Sequence, residues 1–118
     1  MKKILVVDDD KDLLVNMKAF LKRQGYEVAV TTSCEEGLQI LNSFKPDLIY
    51  MDIDVGKEDG REMCRKIKSQ AEYKHIPVIL ISANHDALQL YKDYGANAFL
   101  EKPFQLSSFL STLQNHLS

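Results

Sequence analysis

Short unbroken apolar runs alternate five times with segments whose apolar residues recur every three or four positions. Lys3 to Val7, Leu48 to Met51 and Val78 to Ile81 are apolar enough for strands buried on both faces. Tyr26 to Thr31 alternates and belongs nearer a sheet edge, and Ala98 to Leu100 makes a short fifth strand. Asp10 to Gln24 carries Leu13, Leu14, Met17, Phe20 and Leu21 at helical spacing, with Asp10 as N-cap and Gly25 as the stop. Ser33 to Glu36 reads as an S-x-x-E capping box that opens a second helix bearing Leu38, Ile40, Leu41 and Phe44, ended by Pro46. A third helix is expected from about Arg61 to Ser69 with Met63, Cys64 and Ile67 inward. A fourth is expected over roughly Asp86 to Tyr94 with Leu88, Leu90 and Tyr91, closing at Gly95. The last presents Leu106, Phe109, Leu110, Leu113 and Leu117 on one face.

Strands alternating with helices imply right-handed crossovers and a parallel sheet covered on both faces, an α/β architecture of the (βα)5 kind. In such a sheet the site lies beyond the carboxyl ends of the strands. The pattern uses residues 1–118 as one domain, with no linker, repeat or second unit expected.

Composition narrows the function. Hydrophobic content of 45% with 27% charged residues is that of a globular domain. A net charge of -2 gives no electrostatic case for nucleic acid or an anionic membrane. The apolar run Ile4 to Val7 is too short for a signal peptide, and nothing approaches a membrane span, so a cytoplasmic protein is expected. Cys34 and Cys64 are too few and too far apart for a zinc motif or disulfide framework and read as small core residues. His75, His85 and His116 lack ligand spacing and read as surface residues.

The chemistry sits where the apolar runs stop. The first ends in Asp8 and Asp9, the third in Asp52, the fourth in Ser82 and the fifth in Lys102. Alone, the first acids could be caps or helix-dipole partners, and Ser82 and Lys102 ordinary loop residues. A parallel sheet instead gathers them on one edge. Clustered carboxylates repel by about 4 kcal/mol per pair at about 4 Å and an effective dielectric near 20, so protons or a cation must relieve them. An all-oxygen set selects a hard ion, and few protein ligands plus water and phosphate suit Mg²⁺. Asp52 then reads as a phosphoryl acceptor, with Lys102 and Ser82 contacting other oxygens of the group; phosphoryl transfer asks little more than such positioning.

ILVVDDD, PDLIYMDI, the Asp59-Gly60 pair, ILISA with Ser82 and FLEKPF with Lys102 and Pro103 together resemble a response regulator receiver domain of two-component signalling. The spacing from Asp52 to Ser82, 82 minus 52 or 30 residues, agrees. The resemblance spans the chain and implies a flavodoxin-like strand order 2-1-3-4-5. It implies Asp52 as phosphoacceptor and Mg²⁺ held by Asp9 directly, Asp8 through water, Asp52, and the main-chain carbonyl of Asp54. It also implies a switch in which Ser82 and Phe99 turn inward, altering the surface of the fourth helix, fifth strand and fifth helix, and a cis Lys102–Pro103 bond. Phe99 has a plain core reading beside that one. The implied donor is a sensor histidine kinase or a histidine phosphotransfer domain, and the implied activity is a signalling switch rather than a multiple-turnover enzyme.

The chain departs from the family in three places. Gly56 stands where the family usually has proline, which leaves the loop freer. Ser82 to Lys102 is 102 minus 82, or 20 residues, short enough to trim the fourth helix or its leading loop, and with it the usual output face. Asp54 is acidic where many relatives are neutral: either a solvated loop carboxylate or a group that tunes phosphate lifetime. Two rival readings remain: a receiver-like interaction module that is never phosphorylated, and a haloacid-dehalogenase-like phosphatase built on Asp52-Ile53-Asp54. The second has its acid pair after the D-x-D strand, whereas here the pair comes first. The sequence fits a stand-alone receiver or one cut from a larger parent.

Overall fold

The computed structural model describes residues 1–117. Its elements are β1 (Lys3–Val7), α1 (Lys11–Arg23), β2 (Glu27–Thr31), α2 (Cys34–Phe44), β3 (Leu48–Asp52), β4 (Asp54–Val55), β5 (Glu58–Asp59), α3 (Gly60–Lys68), β6 (Val78–Ser82), α4 (His85–Leu88), a 3₁₀ turn (Tyr91–Tyr94), β7 (Ala98–Glu101) and α5 (Leu106–His116). Five strands form one sheet in the order β2-β1-β3-β6-β7. All its pairs are parallel. This is the doubly wound flavodoxin-like order that the family resemblance implied, with β2 at an edge.

The strand pleat sorts side chains between two apolar layers. Leu5, Val7, Ile49, Met51, Val78 and Leu80 meet α2, α3 and α4 on one face. Ile4, Val6, Leu48, Tyr50, Ile79 and Ile81 meet α1 and α5 on the other. A continuous apolar run is therefore what a central strand needs, because neither face sees water. Cys34 and Cys64 lie in the first layer, and burial pushes each thiol up to about 11. Among the described residues no helix is long and apolar enough to cross a membrane.

Helix ends follow local chemistry. The Asp10 side chain accepts from the N–H groups of Asp12 and Leu13, capping α1 as its type predicts. Ser33 accepts from Glu36 N–H at 3.2 Å, but the Ser33 amide donates to Thr31 Oγ1, so the capping box is only half formed. At the other end of α2, Lys45 takes the left-handed φ 53 of a helix C-cap, its N–H donating to Leu41 O, and Pro46 follows where the helix cannot continue.

Two expectations fail. The fourth helix is a single turn, His85–Leu88, followed by the 3₁₀ turn, instead of a helix from Asp86 to Tyr94. Leu88 is fully buried and Tyr91 packs against the same layer, while Leu90 is exposed; that three-residue inward spacing fits a 3₁₀ turn. Leu106 is likewise exposed at the start of α5, leaving Phe109 and Leu113 as its buried contacts.

Candidate functional site

β1 and β3 are neighbours in register, Val7 opposite Met51, so Asp8 and Asp52, one step further along each strand, come side by side at the sheet's carboxyl edge. Both carboxylates are almost removed from solvent, Asp8 completely. Lys102 follows β7, two strands from β3, and its long stem returns across the edge: Nζ lies 2.9 Å from Asp8 Oδ2 and 3.1 Å from Asp52 Oδ2. Asp9 is exposed at the rim, with a carboxylate oxygen that falls within 4.8 Å of those of Asp8 and Asp52.

The electrostatics are unbalanced. Burial, and then the Asp8 charge, push the Asp52 carboxyl up to about 6, against the pull of Lys102 and of the Asp54 N–H. Burial alone would lower Lys102, but Asp8 and Asp52 outweigh it and raise its pKa. Asp8 Oδ1 accepts from the Asp10 amide at 2.9 Å. Its Oδ2 is buried and, although close to the ammonium, makes no hydrogen bond of proper direction. Three carboxylates faced by one ammonium carry an excess of negative charge and are the all-oxygen donor set a hard divalent cation satisfies.

The remaining sequence candidates surround this cluster. The Asp54 amide donates to Asp52 Oδ1 at 3.2 Å, while its own side chain is exposed. Ser82 is buried at the end of β6; its hydroxyl oxygen accepts from Asn84 N–H at 3.0 Å, and its carbonyl accepts from the Lys102 amide at 2.8 Å. Phe99, opposite Leu80 on β7, is half-buried with its ring tilted against Tyr91 at 5.2 Å. Its side chain packs against the apolar layer that α2 and α3 cover. The Lys102–Pro103 bond is cis, as the resemblance implied. A cavity of about 350 Å³ lined by Asp10, Leu13, Ala83, Lys102, Pro103 and Phe104 opens beside the lysine.

Sequence reasoning missed the loop after Asp52. Asp54–Val55 and Glu58–Asp59 pair antiparallel as β4 and β5 around Gly56 and Lys57. Gly56 has φ 62 and Lys57 is not left-handed, the residue pattern of a two-residue II′ hairpin. Proline, fixed near φ -65°, cannot occupy that place. The amide of Gly56 donates to Asp9 Oδ2 at 3.3 Å, and Glu58 Oε1 accepts from Cys34 N–H at 2.9 Å. Gly56 in place of proline was the available signal; nothing in the sequence pointed to Glu58.

A doubly wound parallel sheet with acids and a lysine gathered at its carboxyl edge defines an α/β domain whose polar cluster lies where open sheets of this kind hold their sites. The family model described as the response regulator receiver domain matches residues 4–114, and the chain belongs to that family. It is 32% identical over 122 residues to the polar-differentiation response regulator DivK of Brucella ovis, covering 98% of this chain and 96% of DivK. It is 34% identical over 105 residues to the alkaline phosphatase synthesis transcriptional regulatory protein PhoP of Bacillus subtilis, covering 87% of this chain and 43% of PhoP. The chain thus spans about half the length of that transcriptional regulator and nearly all of DivK. Among solved structures, the chemotaxis protein CheY4 of Vibrio cholerae superimposes with a TM-score of 0.91 at 29% identity, over 99% of both chains.

Proposed function

We propose that this receiver domain is a phosphorylation-dependent switch that accepts a phosphoryl group on Asp52 from a sensor histidine kinase or a histidine phosphotransfer domain. The observation that carries the reading is Lys102 Nζ held between the buried carboxylates of Asp8 and Asp52. An Asp52 oxygen forms the new P–O bond as the donor's P–N bond breaks, and that bond's electron pair returns to the ring nitrogen. Lys102 supplies a fixed positive charge for one phosphoryl oxygen, and the Ser82 hydroxyl a donor for another. The Asp54 amide holds Asp52 Oδ1, leaving Oδ2 toward the lysine.

Asp8, Asp9, Asp52 and the main-chain carbonyl of Asp54 would hold Mg²⁺, which when bound neutralises charge on the incoming phosphoryl group. The excess of clustered carboxylates over the single ammonium supports that assignment. Phosphorylation then shifts the population of Ser82 and Phe99 arrangements and so the surface formed by α4, β7 and α5. The domain acts as a cytoplasmic signalling protein with a protein partner, not as a multiple-turnover enzyme.

Incubation with acetyl phosphate or phosphoramidate and Mg²⁺, followed by intact mass, tests this. One added phosphoryl group, absent in Asp52→Asn, is expected. An unmodified wild-type chain would leave a receiver-like interaction module, and turnover of a phosphomonoester would mark a phosphatase.

A further inference from the structure

We infer that the Gly56 amide and the Glu58 carboxylate are positioning groups for Asp9, making the β4–β5 hairpin a stiff arm that presents this exposed carboxylate to the cation. The inference rests on the reading of Asp9 as a Mg²⁺ ligand. Asp9 lies beyond β1 at the rim, where nothing buries its side chain. The hydrogen bond that orients it among the described residues comes from Gly56 N–H to Oδ2, which leaves Oδ1 free. A ligand carboxylate held by an outer hydrogen bond loses less rotamer freedom when it binds the ion.

The bond is only as useful as the hairpin is rigid. Its first strand follows directly from Asp52, and the buried Val55 pins it to the α2–α3 layer. Its second strand is fixed twice. Glu58 Oε1 accepts from the first-turn amide of α2 at 2.9 Å, where the helix dipole favours a negative charge, and Gly60 N–H donates to Ile53 O at 2.7 Å. The turn between them needs a residue that both adopts φ 62 and keeps its N–H. Proline does neither, so this chain orients its rim acid with an amide that a proline-bearing loop lacks.

The test is calorimetric titration of the unphosphorylated full chain with MgCl₂ alone, at a temperature where circular dichroism shows each variant folded. Glu58→Ala should weaken Mg²⁺ binding about tenfold, the low end of the loss seen on removing outer-shell partners. Glu58→Gln, which keeps an acceptor oxygen for Cys34 N–H, should stay within about threefold of wild type. In amide NMR spectra, Mg²⁺ should shift both Gly56 and Cys34 in wild type and leave Cys34 unmoved in Glu58→Ala. Wild-type affinity in Glu58→Ala would overturn the inference while leaving Asp9 a ligand. Equal affinity in wild type and Asp9→Asn would instead remove the underlying reading, and the inference with it.

Discussion

Gly60 and Asp52 approach so closely that a Cβ on Gly60 would fall 1.8 Å from the Asp52 carbonyl oxygen and 2.9 Å from its carbonyl carbon. The obstacle is backbone in the last residue of a fully buried strand, and it cannot swing aside as a side-chain end could. Gly60→Ala must therefore push β3 or α3 out of register, at a cost of at least ~2 kcal/mol, within the range of overpacked cores. Urea unfolding should show the loss, and phosphorylation by acetyl phosphate should fall with it. Gly25→Ala is the control, because nothing lies within 4 Å of its added methyl and only the left-handed backbone, ~1 kcal/mol, opposes it.

Asp52 is held in a form that resists ionisation, and stability should report it. Its folded pKa of about 6 lies above the ordinary 3.8, so the folded chain binds the proton more tightly than the unfolded one does. Without Mg²⁺, the unfolding free energy should therefore decline as pH rises from about 4 to about 6 and stay lower above that window. Asp52→Asn should abolish this slope and raise metal-free stability at pH 8 by roughly 1–3 kcal/mol, as measured by denaturant unfolding across pH.

Lys68 should prove a structural cation. Its Nζ donates to the carbonyl oxygens of Ile76 and Lys74 and to Asn97 Oδ1, at 2.6, 3.2 and 2.8 Å, tying the end of α3 to the loop before β6 and the start of β7. Burial holds its pKa below the usual lysine value, and no carboxylate pairs with it among the described ion pairs. Lys68→Met keeps the packing and removes all three donors. A loss of about 1–3 kcal/mol is expected from the freed carbonyls, with phosphorylation unchanged once the chain is folded.

The first residue of α4, His85, makes a pH-sensitive contact, its Nδ1 lying 2.6 Å from Glu101 Oε1. The hydrogen bond to Glu101, and then its charge, raise the histidine pKa above 6.5. Its contribution should be full below pH 6.5 and lost as pH rises through the raised value. An NMR titration of the imidazole should return to an ordinary midpoint in Glu101→Gln. An unchanged midpoint would show that the pair does not form in solution.

Much of this was legible because local and long-range preferences agree. Apolar runs such as Val78 to Ile81 satisfy both strand propensity and double-sided burial, and Asp10 and Ser33 cap the helices they precede. The converging Asp8, Asp52 and Lys102 follow from parallel topology alone. What the sequence hid depends on distances across the chain. Lys68 looks like any solvated lysine in the last turn of a helix, and its acceptors arrive from segments up to 29 residues away. Leu90 carries the apolar label of a core residue, yet the tertiary fit of Leu88 and Tyr91 leaves it facing solvent. Glu58 reads as a loop acid until the hairpin brings it to the start of α2.

The single turn of α4 also sets where the molecule opens first. Between Asn84 and Asn97 the backbone is held by one α-helical turn and then by 3₁₀ and turn bonds, such as Asp93 N–H to Leu90 O and Ala96 N–H to Tyr91 O, in place of a long helical ladder. Each can break without costing its neighbours a cooperative helix, so amide protons here should exchange with deuterated solvent by local opening, far ahead of those in β3 and β6. That side of the sheet is then the low-energy frontier of the domain, where the backbone should change path without unfolding the core beneath it.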